Sequence, residues 1–149
     1  IIKTKKPTII STGMASLKEI KAITKKFSNK KIKHSLLHCV SSYPNNEENS
    51  YLKNILYLKK NFNCKVGLSD HTNDIRTSIY SYLIGAEIIE KHFKLSEKDK
   101  CIDSTVSISP KKMVDLVNEI KKVKKILGTV KFGVREVERN IKQYKVITK

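Results

Sequence analysis

Short apolar runs alternate with amphipathic stretches along most of this chain, and that alternation restricts the fold more than any other feature. The run at 7–11 is β-branched and closed by Thr12-Gly13. The run at 34–40 ends at Ser41-Ser42-Tyr43-Pro44, where proline cannot continue a central strand. Two more apolar runs occupy 65–68 and 86–89. Helical spacing fills the gaps. Ser16 reads as an N-cap with Glu19 completing a capping box, ahead of a stripe of Leu17, Ile20, Ile23 and Phe27. A second helix turns Leu52, Ile55, Leu56, Leu58 and Phe62 inward, and a third uses Ile75, Ile79, Tyr82 and Leu83 and stops near Gly85. The clearest helix opens with Ser109 as cap and Pro110 at its first position, and ends before Gly128. Met113, Leu116, Val117, Ile120, Val123 and Leu127 form its stripe.

Strand–helix units of about 30 residues with near-continuous apolar strands imply an α/β fold, a parallel sheet wrapped by helices. Four such units make half of a (β/α)8 TIM barrel. Four parallel strands cannot close on themselves, so two edges would expose unpaired backbone groups. The tail 129–149 has weak periodicity and reads as a linker. With no initiator Met and a strand almost at its start, the chain is expected to be part of something longer.

The 149 residues are 39% hydrophobic, enough for one domain with a core, and no apolar run approaches the roughly 20 residues of a membrane span. Cys39, Cys64 and Cys101 are odd in number and lack CxxC spacing. That argues against a zinc cluster and fits free thiols in a reducing cytoplasm. The net charge of +17 raises nucleic-acid binding as a function. Against it, Arg76, Arg135 and Arg139 are the only arginines, the lysines are spread over every helix and loop, and no aromatic stacking platform accompanies them.

In a parallel α/β fold, ligands meet the C-terminal ends of the strands. Each run here ends in polar groups: Ser11-Thr12-Gly13, Ser41-Ser42-Tyr43, Ser69-Asp70-His71-Thr72 and Glu90-Lys91-His92. His71 and His92 follow successive strands and project into one space, the geometry of a shared metal or catalytic site. Borderline divalent metals accept imidazole nitrogen, and two histidines leave positions open for water and substrate oxygens. Ser69 and Ser41 could hold a phosphate. Plainer readings stand beside these. A strand-end histidine can be structural, Asp70 can orient its neighbour or cap the next helix, Glu90 and Lys91 can form an ion pair across the barrel mouth, and Tyr43 can simply pack beside Pro44. His34 and His38 are read as structural.

Four segments together resemble the sialic acid synthase family, which includes legionaminic and pseudaminic acid synthases. They are Lys6-Pro7-Thr8-Ile9-Ile10-Ser11-Thr12-Gly13-Met14, Leu36-Leu37-His38-Cys39-Val40-Ser41-Ser42-Tyr43-Pro44, Gly67-Leu68-Ser69-Asp70-His71-Thr72, and Gly85-Ala86-Glu87-Ile88-Ile89-Glu90-Lys91-His92-Phe93. Order and spacing match over roughly residues 5–128. The resemblance implies a (β/α)8 barrel that condenses phosphoenolpyruvate with an N-acetylated amino sugar to a nine-carbon 2-keto acid, releasing phosphate. It also implies Mn²⁺ or Mg²⁺ held by His71 and His92, phosphoenolpyruvate near Ser41 and Ser69, and the sugar near Tyr43 and Asp103. Residues 1–128 would then be the C-terminal half of the barrel, with 129–149 leading towards an antifreeze-like domain outside this chain. In the family that domain reaches across a homodimer. Two departures stand out: some members carry Asn at position 41, and Cys101 replaces a glycine of the turn before Asp103, adding bulk beside the sugar pocket and losing access to positive φ.

Overall fold

The computed structural model describes residues 1–146. Four strands, β1 (Thr8–Ser11), β2 (His34–Cys39), β3 (Lys65–Asp70) and β4 (Ile89–Lys91), form one sheet in sequential order, every neighbouring pair parallel. Helices α1 (Leu17–Asn29), α2 (Lys53–Asn61) and α3 (Arg76–Leu83) connect successive strands, and α4 (Pro110–Leu127) follows β4. This is the expected curled half-barrel. Its core lies between sheet and helices and gathers Ile20, Leu36, Ile55, Leu58, Val66, Leu68 and Ala86.

Local chemistry accounts for most element boundaries. The capping box at α1 forms: Glu19 Oε2 accepts from the Ser16 N–H at 2.7 Å, and the Glu19 N–H reaches Ser16 Oγ at 3.4 Å. Helix α4 begins with Pro110 after an extended Ser109, but Ser109 makes no side-chain cap bond. Gly128 ends that helix at φ +55°.

Several faces differ from the sequence reading. Helix α3 buries Thr77, Ser78 and Ser81, while Leu83 is exposed. Small hydroxyl side chains let the helix lie close to β3, and Ser81 satisfies its hydroxyl on the Ser78 carbonyl. Leu56 of α2 also faces outward, and Leu116 is the only fully buried member of the α4 stripe. The fourth strand is centred later than the apolar run at 86–89. The ladder still reaches back, since the Glu87 N–H donates to the Val66 carbonyl (2.8 Å) and the Leu68 N–H to the Ile88 carbonyl (2.9 Å). Beyond 128 the chain forms an exposed 3-10 helix, Glu136–Tyr144, with no buried residue; positions 147–149 of the expected linker lie outside the described residues.

Two residues govern how the strands sit. Gly67 faces the β4 backbone so closely that a Cβ there would collide with the Ile88 carbonyl. His38 is buried on β2, with Nε2 donating to the Ser50 carbonyl at 2.7 Å, as its structural reading requires. Burial holds its pKa below the ordinary histidine value despite that bond.

Gly67→Ala is expected to destabilise the chain by about 3 kcal/mol in a urea unfolding series, because backbone must move to admit the methyl group. His38 generates a pH dependence. Its folded pKa is depressed, so the unfolded chain binds the extra proton between that value and about 6.5. Stability is therefore full above about pH 6.5 and declines as the pH falls below it. Unfolding midpoints measured from pH 7.5 down to 5 should show this slope, and His38→Gln should flatten it.

Candidate functional site

Register places the site. Cys39 pairs with Ser69 and Ser69 with Glu90, while Asp70 pairs with Lys91. Side chains alternate along a strand, so Cys39, Ser69 and Glu90 form one row across three strands on a single face. His71 and His92 stand one step beyond the Asp70–Lys91 pair and return to that same face. Their ring centroids are 5.2 Å apart, at an interplanar angle of 67°. Tyr43 closes the group: it stacks on His71 at 4.0 Å and 29°, and meets His92 edge-on at 5.6 Å. The loop carrying Tyr43 is itself tied to β3 by the Asn45 N–H on the His71 carbonyl, 2.9 Å.

Both histidines have one nitrogen anchored. His71 is buried, and its Nδ1 lies 2.9 Å from the Val40 carbonyl. A carbonyl only accepts, so Nδ1 carries the proton and Nε2 holds the lone pair of the neutral ring. That Nε2 stands 3.5 Å from Ser69 Oγ, whose hydroxyl donates to Glu90 Oε1 at 2.7 Å. His92 Nδ1 lies 3.5 Å from Asp103 Oδ2, a carboxylate partner that leaves its Nε2 likewise available. An imidazole anchored through one nitrogen on an oxygen acceptor is the usual arrangement of a metal-ligating histidine. Among the described residues no set of three or more His, Cys, Asp or Glu side chains converges as a complete ion cage. Two imidazole nitrogens with room left for water and substrate oxygens are a donor set of the kind borderline divalent metals accept, and His71 and His92 are the residues that would hold one. The Tyr43 phenol is pushed above its ordinary pKa by loss of hydration and by the neighbouring Cys39, Asp103 and Glu90. At neutral pH it is therefore a hydroxyl donor.

The structure thus brings together His71, His92, Tyr43, Ser69 and Asp103. Ser41 sits apart. It is exposed, its Oγ lies close to Gly13, and it lines a cavity of about 600 Å³ between α1 and α2 together with Thr12, His38 and Tyr51. Gly13 has φ +38°, and a Cβ there would crowd the Ser41 hydroxyl. Cys101 is exposed and does not have positive φ, so the turn before Asp103 forms without a glycine. Two contacts escaped the sequence reading, which had Cys39 as a free thiol and Glu90 as a strand-end group or partner of Lys91. Cys39 Sγ lies 3.9 Å from His71 Nδ1, and Glu90 is the acceptor for Ser69. Aligning the strands at their C-terminal ends would have found both, since they share a row with Ser69. Glu90 and Lys91 do not pair with each other; they point to opposite faces, and Lys91 instead meets Asp70.

A model of the NeuB family matches residues 1–132. The chain belongs to the NeuB family. Pseudaminic acid synthase of Campylobacter jejuni is 36% identical over 137 residues, covering 91% of this chain and 40% of that protein. The N,N'-diacetyllegionaminic acid synthase of the same species is 35% identical over 145 residues, covering 95% and 43%. Among solved structures, the N-acetylneuraminic acid synthetase of Leptospira borgpetersenii superposes with a TM-score of 0.87 at 37% identity, over 96% of this chain and 50% of that one. This NeuB-family chain therefore spans about two fifths of the length of these curated relatives. No helix among its described residues is long and apolar enough to cross a membrane.

Behind the histidines lies a buried ion pair. Lys91 Nζ is 3.1 Å from Asp70 Oδ2, with both side chains 1% exposed. Asp70 Oδ1 also accepts from the Thr72 N–H and hydroxyl, each at 2.8 Å, and Oδ2 accepts from Ser78 Oγ at 2.5 Å. Lys91→Met should cost about 3–5 kcal/mol in chemical unfolding, because it strands a buried carboxylate. Asp70→Asn combined with Lys91→Met should recover most of that loss, to within about 1–3 kcal/mol of the unaltered chain, since both charges vanish together and only the Thr72 carbonyl loses its Lys91 bond.

Proposed function

We propose that this chain forms the histidine-bearing half of a synthase that condenses phosphoenolpyruvate with an N-acetylated amino sugar, giving a nonulosonic acid and phosphate. The observation that carries the reading is the His71–His92 pair: the rings meet at 5.2 Å, His71 Nδ1 is bonded to the Val40 carbonyl, and His92 Nδ1 lies 3.5 Å from the Asp103 carboxylate. Family membership and the named activities of the relatives support the reaction class. In the condensation, carbon 3 of phosphoenolpyruvate bonds to the aldehyde carbon of the sugar, whose oxygen takes up a proton. Water adds at carbon 2, and phosphate leaves with cleavage of its C–O bond.

His71 and His92 would hold Mn²⁺ or Mg²⁺. When bound there, the ion supplies a Lewis acid for the aldehyde oxygen. The Val40 carbonyl orients the His71 ring through Nδ1, and the Asp103 carboxylate lies beside Nδ1 of His92, so the Nε2 edge of each ring is the one left for a ligand. Ser69, one step below His71, offers a hydroxyl to phosphoenolpyruvate once it exchanges Glu90 for the ligand; Ser41, in the neighbouring cavity beside Gly13, is carried as a second contact by family resemblance alone. Tyr43 presents a neutral phenol and an aromatic face to the sugar, beside the Asp103 carboxylate. In this reading residues 1–128 are the barrel half and the exposed tail from 129 is a linker. The remaining groups for phosphoenolpyruvate come from the other half of the barrel, in a homodimeric whole protein acting in the cytoplasm.

A second reading has support of its own: the half-barrel functions only after its edges are covered. Ile9 on the outer strand β1 is 56% exposed and lines an open apolar groove with Ile2, Ile10, Ile23 and Phe27.

Mn²⁺ should raise the thermal midpoint of the chain. At a concentration a hundred times its Kd, a ligand that binds only the folded state contributes about 2.7 kcal/mol. His71→Ala and His92→Ala should each remove that increase. A midpoint indifferent to Mn²⁺ in the unaltered chain would sink the metal assignment.

A further inference from the structure

The Asp70–Lys91 pair lies on the opposite face of the sheet from the histidines, yet each of its members immediately precedes one of them. Lys91 reaches across from β4 and holds both flanks of His71: the Asp70 carboxylate before it and the Thr72 carbonyl after it. Asp70 in turn fastens Thr72 through the backbone N–H and the hydroxyl, so the two residues bracketing His71 are fixed to each other as well. Ser78 delivers a further hydroxyl from α3, which anchors the whole group to the helix layer. His92 is held differently, by a parallel bridge in which the Lys94 N–H also donates to the Ile108 carbonyl at 3.0 Å. Its backbone position is inherited from Lys91, the residue before it, and from the Ile108 N–H that donates to its carbonyl at 2.9 Å.

We propose that Asp70 and Lys91 are positioning residues that set the separation and facing of His71 and His92, and so the affinity of the pair for a divalent cation. The inference rests on the reading that the two histidines share a metal. A buried ion pair is seldom retained for stability, because two apolar groups of similar volume often do as well. What an apolar pair cannot do is hold the two flanks of one residue to the neighbouring strand by directed bonds. Lys91 does this with one ammonium group, and the cost of leaving Asp70 or the Thr72 carbonyl unpaired confines it to one geometry.

The test separates positioning from folding. In the full chain carrying both Asp70→Asn and Lys91→Met, the urea midpoint should fall much less than in Lys91→Met alone, since no buried charge is stranded and only the Thr72 carbonyl loses its Lys91 partner. Mn²⁺ affinity, read from the free-ion EPR signal, should nevertheless fall ten-fold or more. In the metal-free protein, the NOE between the His71 and His92 ring protons should weaken, as should the ring-current shift that Tyr43 imposes on His71. A folded double variant with unaltered Mn²⁺ affinity and an unaltered NOE overturns the proposal. Should that variant fail to fold, Lys91→Gln takes its place; it keeps an N–H donor, and Asp70 remains bonded to Thr72 and Ser78. Its Mn²⁺ affinity should drop at least three-fold, and no drop overturns the proposal. If the unaltered chain takes up no Mn²⁺, the metal reading fails, and the NOE comparison still decides whether the ion pair spaces the histidines.

Discussion

The close approach of β3 to β4 is the constraint on which the histidine end of this molecule depends. At Gly67 the two backbones leave no room for a methyl group. That contact brings Asp70 level with Lys91 and, one residue on, His71 within 5.2 Å of His92 between ring centroids. A wider spacing there would part the two rings, loosen the buried ion pair and break the edge contact of Tyr43 with His92, while the Tyr43 loop would stay with β3 through the His71 carbonyl. Steric fit at one glycine thus sets both the ionic contact and the meeting of the histidines.

The two faces of the sheet divide the work. Leu36, Val66 and Leu68 meet α1 and α2 in an apolar core, and further along the strands that layer turns polar at His38, Asp70 and Lys91. The buried polar side-chain atoms among the described residues all have partners. The face opposite carries the groups that can meet a ligand. Alternation along β3 therefore interleaves support and chemistry: Leu68 and Asp70 belong to the packed layer, Ser69 and His71 to the open one.

Much of this was legible in the residues alone. Apolar runs of strand length followed by helical stripes identified the four units, and the Ser16–Glu19 box, Pro110 and Gly128 marked helix ends correctly because those signals are local. The misplaced features share one cause, a dependence on contacts between distant parts of the chain. Helix α3 looked as if its inward face should be Ile75, Ile79, Tyr82 and Leu83; the first three are only half-buried and Leu83 is exposed. Proximity to the Asp70 carboxylate instead rewards the hydroxyl of Ser78, and the small neighbours Thr77 and Ser81 follow it inward. Glu90 and Lys91, adjacent in sequence, read as possible partners until strand alternation sent them to opposite faces.

The alternation along β3 also makes the length of that strand a functional quantity. Between Gly67, seated against β4, and His71 there are Leu68, Ser69 and Asp70. One extra residue in that interval would exchange the berths of aspartate and histidine. The imidazole would fall into the packed layer facing Ser78, and the carboxylate would emerge beside Tyr43. Such a chain would retain every residue type now present and lose the site. In this family, counting residues from the glycine should therefore be as informative as identifying them.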